Sequence, residues 1–276
     1  MPTVKDQMGR KVNVPEAPLR IISLVPSQTE LLYDLGLGSE VVGITKFCIY
    51  PQEWRKEKTI VGGTKQVHFD IIDQLQPDLI IGNKEENEEG FITKLAKKYP
   101  VWMSDISNLN EALDMIEMIG DLKAKEKEAE AIVVDILSGF AELEERDVPA
   151  KKAVYLIWKG PYMAAGQGTF INEMLKVAGF ENQVKKDRYP ELTVQEIQDL
   201  APEVVLSSSE PYPFKDKHIE ELKAELPNIE VRLVDGEMFS WYGSRLVKAP
   251  AYFKSLKASK HCCHRFGGHK TTKGGD

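Results

Sequence analysis

Residues 19–43 constrain the possible fold most, because they combine a buried strand, a helix start and a helix stop. The strand is an apolar, β-branched run at 21–25, as expected of a strand covered on both faces. A proline ends it, and Ser27 and Glu30 then have the S-x-x-E spacing of a capping box. Gly36 predicts the end of the helix. A strand that leads directly into a helix leaves free amides at its carboxyl end, where open α/β sheets usually bind ligands.

The rest of the chain continues this alternation of strands and helices, which predicts an α/β fold with parallel sheets. Strands are predicted at 21–25, 41–45, 79–82, 101–103, 153–158, 204–207 and 230–234. Helices are predicted at 27–35, 70–75, 89–98, 109–122, 125–145, 169–178, 194–200 and 217–226.

Two segments, 72–81 and 197–206, resemble each other. Both have the pattern of a short helix, a proline turn and a buried strand. Their offset of 125 residues is far longer than the period of a repeat protein. Two lobes of one architecture explain the likeness better, although helix–proline–strand units are common in α/β proteins.

Residues 125–145 predict one long amphipathic helix between the two halves. The segment contains no proline, and apolar residues such as Ile132, Ile136 and Phe140 recur at helical spacing. A helix of this length spans roughly 30 Å at 1.5 Å per residue, enough to bridge two lobes. The sequence DVP at 147–149 predicts its end.

Composition indicates a globular protein and excludes some partners. The chain is 42% hydrophobic and 29% charged, with a net charge of −7, which argues against nucleic acid as a partner. It has no apolar run of the roughly 20 residues that a membrane span needs. The polar N-terminus lacks the apolar core of a signal peptide, so the protein is either cytoplasmic or periplasmic with its leader removed.

The segment 257–276 differs from the rest of the chain. It is rich in glycine, lysine and threonine, has no apolar periodicity and is predicted to be a disordered tail. Its histidines and its adjacent Cys262 and Cys263 lack the C-x₂₋₄-C spacing of a zinc site, so no metal site is predicted. Three cysteines in all give no disulfide framework.

Several motifs, taken in order, resemble those of the substrate-binding proteins of iron-siderophore and vitamin B12 ABC importers, also called helical-backbone metal receptors. The likeness covers residues 19–253 and is closest to the cobalamin-binding branch. The motifs are RIISLVPSQTELLYDLGL at 20–37, VVGITKFCIYP at 41–51, LQPDLIIG at 75–82, GQGTFINEMLKVAGFEN at 166–182 and LAPEVVLSSSEPYPF at 200–214.

This resemblance implies two Rossmann-like α/β lobes with parallel sheets, joined by one long backbone helix. The lobes are expected at 19–105 and 151–256, with a helical linker at 106–150. It also implies solute binding without catalysis by a monomer, and no intrinsic cofactor. A corrinoid, haem or ferric siderophore would be held between the lobes as the transported ligand, and an ABC permease would be the partner.

In the first lobe, the resemblance points to three cleft positions. Tyr50 stands where the cobalamin binders have a cleft tyrosine, although it can also anchor a Tyr–Pro turn. Lys65 and Asn83 replace two tryptophans of those binders. These polar residues suit a ligand that bears carboxylates, phosphate or amides, and they equally suit a solvated loop.

The second lobe has an unusual density of aromatic residues near its strand ends. Three aromatics and an arginine lie within residues 238–245 without the periodicity of a core segment, which favours ligand contact. Arg245 could donate two parallel hydrogen bonds to a carboxylate or phosphate. The cleft candidates of this lobe are Trp158, Tyr189, Phe239, Trp241, Tyr242 and Arg245.

Docking to the permease, in the family resembled, uses one acidic residue on the outer surface of each lobe. The matching positions are Asp70 and Gln195, with Glu196 adjacent. Thr193 and Glu196 also have capping-box spacing, which gives Glu196 a competing local role.

Two other functions remain open. An enzyme acting in the cleft could use the carboxylates Glu85, Glu86 and Glu88, or His68 with Asp70. However, the acidic run also fits a solvated loop, and the chain has no nucleophile motif, P-loop or G-x-G-x-x-G. The other alternative is a cytoplasmic ligand-binding sensor or interaction protein that reuses the binder fold.

Overall fold

The structure is a computed structural model that describes residues 2–144 and 149–258. The predicted tail from residue 259 onward and the predicted helix end at 145–148 lie outside the described residues.

The first lobe is built on a five-stranded parallel sheet, preceded by a hairpin. The hairpin pairs β1 (Thr3–Lys5) with β2 (Lys11–Asn13). The sheet strands are β3 (Ile21–Ser23), β4 (Val41–Ile44), β5 (Thr59–Ile60), β6 (Leu79–Asn83) and β7 (Val101–Ser104), in the order β5-β4-β3-β6-β7. The helices are α1 (Pro26–Asp34), α2 (Trp54–Glu57), α3 (Phe69–Leu75) and α4 (Glu89–Ala96).

The hairpin protects the edge of this sheet. The Gln7 amide donates to the Met103 carbonyl at 3.2 Å, and the Met103 amide donates to the Asp6 carboxylate at 3.3 Å. Because β7 is an edge strand, these contacts cover backbone groups that would otherwise be free to pair with another chain. The sequence reasoning did not predict this hairpin.

Two helices follow the first lobe, and the second lobe follows them. The helices are α5 (Leu109–Leu122) and α6 (Glu126–Glu144). The strands of the second lobe are β8 (Lys151–Trp158), β9 (Tyr162–Ala164), β10 (Phe180–Asn182), β11 (Glu191–Leu192), β12 (Val204–Ser208) and β13 (Glu230–Val234). Its helices are α7 (Phe170–Val177), α8 (Val194–Asp199), α9 (Asp216–Glu225), α10 (Glu237–Ser240), a 3₁₀ turn (Ser244–Val247) and α11 (Ala249–Ala258).

The second sheet is mixed rather than wholly parallel. Its order is β11-β9-β8-β12-β13, and β10 also pairs with β8. The pairs that β8 makes with β10 and β12 are parallel, as is β12 with β13, whereas β9 runs antiparallel to β8 and β11 antiparallel to β9. Gly160 has φ +85°, a conformation that favours glycine, and it lets the chain reverse within three residues to form β9.

The long helix α6 bridges the two lobes, as its apolar spacing predicts. It packs against α5 on one side and against α7, α11 and the 3₁₀ turn on the other. The Cβ of an alanine at Gly120 would lie 2.6 Å from the Cβ of Ala129, so glycine permits the close approach of α5 and α6. Apolar side chains from both lobes join these helices in one continuous core that includes Leu31, Ile136 and Phe253.

The internal likeness of the two halves extends to the backbone. Both segments form a helix, a proline turn and a central strand, namely α3 to β6 and α8 to β12. Gln76 and Ala201 occupy equivalent places just before the prolines, and both have a positive φ, +45° and +46°. The two similar segments therefore share their backbone geometry as well as their element order.

The predicted capping box at the start of α1 is wrong. Val25 is the N-cap and Pro26 occupies the first turn, because proline lacks the amide hydrogen that the first turn cannot use. Ser27 consequently lies inside the helix, where its buried hydroxyl has no hydrogen-bond partner among the described residues. Glu30 instead faces the second half of the chain. By contrast, the Thr193–Glu196 capping box of α8 is present.

Within the described part of the chain, no helix combines the length and the apolar character that crossing a membrane requires.

Candidate functional site

The loops at the carboxyl ends of the two sheets meet between the lobes. Four contacts join them: Tyr242 donates to Glu86 at 3.0 Å, Tyr189 donates to Glu85 at 2.9 Å, Arg245 pairs with Glu30, and the rings of Tyr50 and Trp241 lie 5.9 Å apart. We call this region the interlobe cleft, and its residues are Glu30, Tyr50, Glu85, Glu86, Tyr189, Glu210, Asp235, Glu237, Trp241, Tyr242 and Arg245.

A guanidinium group lies between two aromatic rings in the cleft. The central carbon of Arg245 is 4.3 Å from the ring centre of Tyr50 and 4.8 Å from that of Trp241. The two rings meet edge to face at an interplanar angle of 74°. Since a cation is attracted to aromatic faces, this arrangement fixes rings from both lobes around one charge.

Arg245 is also held by carboxylates from both halves of the chain. Its Nε donates to Glu30 at 2.8 Å, and its Nη1 lies 2.8 Å from Glu237. Lys248 adds a longer contact to Glu30 at 3.5 Å. The Nη2 atom is buried and has no hydrogen-bond partner among the described residues. Two of the three nitrogens of Arg245, the residue expected to donate two parallel hydrogen bonds to a ligand, are therefore already in contact with carboxylates of the protein.

Two cleft carboxylates accept hydrogen bonds only from neutral donors. Glu86 accepts from the Tyr242 hydroxyl, and Glu210 accepts from the Ser240 hydroxyl and from the Trp241 indole at 3.2 Å. Burial raises the pKa of Glu86 to about 7, the Tyr242 hydrogen bond opposes the rise, and the Glu210 charge adds to it. Burial likewise raises the pKa of Glu210.

The pKa of Glu237 is also raised, even though this residue pairs with Arg245. Burial raises its pKa to about 7, and the charge of Arg245 opposes the rise. Burial also raises the pKa of Asp235, which accepts a hydrogen bond from the Glu237 amide. The cleft therefore combines several carboxylates that resist ionisation with one arginine that Glu30 and Glu237 share.

The structure brings five of the sequence-predicted cleft residues together: Tyr50, Tyr189, Trp241, Tyr242 and Arg245. Lys65 lies at the exposed rim, where its Nζ donates to the Glu85 carbonyl at 2.8 Å. Trp158 is 41% exposed and stacks edge to face on Tyr212, 5.4 Å away, rather than on a residue of the cleft group.

Two predicted cleft residues are structural instead. Asn83 is 1% exposed, and its side chain donates to Ser104 and accepts from the amides of Glu85 and Glu86, so it orders the loop from inside. Phe239 is fully buried and packs on Tyr155 and Phe253 in the core. The prediction that these two side chains face a ligand is wrong, because both are enclosed by their own lobe.

The sequence reasoning missed four cleft carboxylates: Glu30, Glu210, Asp235 and Glu237. Glu30 was assigned to a helix cap, which its spacing from Ser27 fits equally well. Glu210 follows a buried strand within SSSEP, and its position at a strand's carboxyl end is the signal that could have found it. The run with Glu85 and Glu86, expected to be a solvated loop, instead reaches the second lobe.

The predicted docking residues differ in whether their side chains already make hydrogen bonds within the protein. Asp70 is exposed in the first turn of α3, and Gln195 is exposed on α8, where it donates to Asp199 at 2.9 Å. Glu196 accepts from the Thr193 amide at 2.7 Å, and hydrogen bonds from Thr193 lower the pKa of Glu196. Glu196 is thus engaged in its local capping box.

Nothing in the described residues resembles a site for a bare metal ion. They contain no group of three or more histidine, cysteine, aspartate or glutamate side chains arranged to hold one. Cys48 is buried, and its sulfur accepts from Thr29 at 3.0 Å. The Cys/His segment of the tail lies outside the described residues.

A cavity of about 450 Å³ adjoins the cleft on the side of α5. Arg188, which pairs with Glu85, belongs to its wall. The space between the lobes therefore continues past the cleft residues. Its lining comes from both lobes and from α5: Gln7, Lys84, Asp105, Ser107, Glu111, Asp114, Gly168 and Arg188.

Comparison with known proteins agrees with this architecture. A family model described as "Periplasmic binding protein" matches residues 21–228. An uncharacterised ABC transporter substrate-binding lipoprotein of Bacillus subtilis is 28% identical over 223 residues, which are 75% of this chain and 68% of that protein. A vitamin B12-binding protein of Vibrio campbellii is 25% identical over 194 residues, 68% of this chain and 70% of that protein.

A solved structure shares the fold at lower sequence identity. The periplasmic haem-binding protein from Pseudomonas aeruginosa superimposes with a TM-score of 0.74 at 22% identity. The match covers 87% of this chain and 92% of that one.

Proposed function

The chain belongs to the periplasmic binding protein family, and we propose that it holds a metal chelate or corrinoid-type ligand in the interlobe cleft for an ABC importer. The observation that carries the proposal is the convergence of Tyr50, Trp241, Tyr242 and Arg245 from both lobes between the two sheets. Flat aromatic surfaces beside buried polar groups are the usual composition of a small-molecule site.

The names of the relatives support this class of ligand. The Bacillus relative is named as a substrate-binding protein of an ABC transporter, and the Vibrio relative as a vitamin B12 binder. The neighbour in structure is named as a haem binder. Cobalamin, haem and a ferric siderophore are therefore the ligands to test first.

We expect the metal to stay inside its chelate rather than to bond to the protein. The described residues offer no cluster of His, Cys, Asp or Glu for it. Tyrosine binds iron as a phenolate, and burial raises the pKa of both Tyr189 and Tyr242, in the second case with help from the Glu86 charge. Axial ligation by these tyrosines is thus disfavoured.

We expect delivery to a permease at the outer ends of the lobes, from an extracytoplasmic location. Asp70 is exposed and placed to meet a cationic partner, whereas the matching position of the second lobe carries the neutral Gln195. Thr193 already engages Glu196. Of the predicted docking residues, Asp70 on the first lobe is therefore the acidic one that we expect to meet the permease.

Titration tests the proposal directly. Hydroxocobalamin, haemin and a ferric siderophore are added in turn to the purified protein, and tryptophan fluorescence reports binding. Trp241→Phe should weaken binding about tenfold or more, because Trp241 contacts Tyr50 and Arg245 and donates to Glu210.

The matched control is Trp54→Phe. Trp54 is 3% exposed and Trp241 is 5% exposed, but Trp54 packs on Tyr33 rather than in the cleft. The control should fold and bind like the unmodified chain. If no chelate binds below roughly millimolar concentration, the metal-chelate function is ruled out.

A further inference from the structure

The two arginines of the interlobe cleft are already paired with carboxylates. Arg245 pairs with both Glu30 and Glu237, and Arg188 pairs with Glu85. Lys65, at the rim, donates to the backbone carbonyl of Glu85. An anionic ligand would therefore have to displace one of the protein's own carboxylates to reach either arginine, and Lys65 offers it a cation only at the exposed rim.

Three cleft carboxylates have no ion-pair partner among the described residues. Glu86, Glu210 and Asp235 make no ion pair within 4 Å with any described residue, and their hydrogen bonds come from hydroxyl, indole and amide donors. Glu86 belongs to the first lobe and Glu210 to the second, and the neighbouring residues Tyr242 and Trp241 contact them. Once the pH exceeds their raised pKa values, Glu86 and Glu210 thus place carboxylate charge without an ion-pair partner on both sides of the cleft.

An unsatisfied donor of Arg245 also favours a neutral ligand group. Arg245 is 6% exposed, and its Nη2 has no hydrogen-bond partner among the described residues, although the guanidinium lies between the rings of Tyr50 and Trp241. An oxygen acceptor on a ligand would complete it. Since two carboxylates already share the charge of this arginine, a neutral carbonyl oxygen suits the position better than a third carboxylate.

We infer that the cleft is a charge filter, which admits neutral or cationic chelates bearing N–H donors and carbonyl acceptors and excludes chelates bearing carboxylates. This inference rests on the proposed function and adds the charge class of the ligand to it. Glu86 and Glu210 set the selectivity, because each accepts hydrogen bonds and repels like charge at close range. Of the ligand groups that the sequence suggested for Lys65, namely carboxylates, phosphate or amides, this inference favours the amides, and it differs from the expectation that Arg245 binds a carboxylate or phosphate.

The test compares two corrinoids that share one ring system. Dicyanocobinamide carries amides at its periphery, and dicyanocobyrinic acid carries carboxylates. At pH 8, above the pKa of about 7 of Glu86, the amide corrinoid should bind at least about tenfold more tightly. In the double variant Glu86→Gln and Glu210→Gln, the acid should gain affinity and the difference should shrink.

The control removes the same number of charges elsewhere. Glu181→Gln with Glu220→Gln deletes two exposed carboxylates that pair with Lys185 and Lys223 on the surface. This variant should keep the discrimination of the unmodified chain. Circular dichroism confirms that both double variants are folded.

Each outcome has a defined meaning. If the acid binds as tightly as the amide corrinoid, the charge filter is overturned while the proposed function stands. If neither corrinoid binds, haemin and its dimethyl ester repeat the comparison, and the ester should bind more tightly. If no chelate of either kind binds, the proposed function fails and the charge filter fails with it.

Discussion

At the scale of single residues, the buried contact between Arg245 and Glu30 decides how the two halves of the chain meet. Their side chains are 7% and 8% exposed, and Glu237 supplies a second carboxylate. Removing these charges from water costs free energy, and this cost offsets much of the attraction between them. Removing one partner leaves the other buried and uncompensated, which is the costly state.

We therefore expect Arg245→Ala to lower the free energy of unfolding by about 3–5 kcal/mol, measured by denaturant titration. The control is Lys254→Ala, because the Lys254–Glu142 pair lies at the surface and should change that free energy by no more than about 0.5 kcal/mol. Equal effects of the two variants would mean that Glu30 is solvated rather than buried.

Glu86 gives a second prediction, on pH. Burial raises its pKa from 4.5 to about 7, so between these values the folded protein holds a proton that the unfolded chain has lost. The contribution of Glu86 to the stability of the fold should therefore be fully present below about pH 4.5 and be lost as the pH rises through 7.

Glu86→Gln should flatten this dependence of the melting temperature between pH 4.5 and 7.5, as followed by circular dichroism. Glu220→Gln, at a 71% exposed side chain, should leave the slope unchanged. Equal slopes in all three proteins would show that Glu86 is already ionised at pH 5 in the folded state.

At the scale of elements, α1 and α8 show that one spacing has two outcomes. Ser27 and Glu30 have the same separation as Thr193 and Glu196, but only the second pair forms a capping box. The difference is the proline at the start of α1, which moves the N-cap back to Val25. For locating a helix N-cap, the S/T-x-x-E spacing is therefore a weaker signal than a proline just before it in the sequence.

The matching experiment is the pair Thr193→Ala and Ser27→Ala. The first removes a hydroxyl that accepts from the Glu196 amide and should cost about 1 kcal/mol of unfolding free energy. The second removes a buried hydroxyl without a described partner and should stay within about 0.5 kcal/mol, or stabilise slightly. Chemical denaturation measures both, and a larger loss at Ser27 would restore its role as a cap.

At the scale of the whole molecule, the two lobes share one core rather than touching as separate bodies. Apolar residues of both sheets, α5, α6 and α11 belong to one continuous buried cluster, and separate clusters cover the outer faces. The long helix α6 packs against α5 and against α7, α11 and the 3₁₀ turn of the second lobe, and it resists bending, because bending would open this core.

We expect ligand binding to change the angle between the lobes by only a few degrees. Small-angle X-ray scattering with and without hydroxocobalamin should give superimposable curves, with fluorescence confirming that the ligand is bound in the same sample. A decrease in the radius of gyration beyond experimental error would indicate hinge closure and contradict the rigid role of α6.

The sequence by itself determined the main strands and helices and their order, but not the β1–β2 hairpin or the short strands β5, β9, β10 and β11. The helix at 109–122 is observed as Leu109–Leu122, and the long helix at 125–145 as Glu126–Glu144, because apolar residues at helical spacing specify an amphipathic helix locally. The proline turns of the two similar halves are likewise local signals. The density of aromatic residues at 238–245 pointed to Trp241 and Tyr242, whereas Tyr50 and Tyr189 were proposed from the family resemblance.

Only the tertiary structure decided which polar groups face one another. Glu86 meets Tyr242 across 156 residues, and Glu30 meets Arg245 across 215. The same is true of Asn83, whose side chain turns inward to order its own loop. A carboxylate looks the same in a sequence whether it caps a helix, lies in solvent or is buried between lobes. Its role depends on the burial and charge of neighbours that the fold supplies.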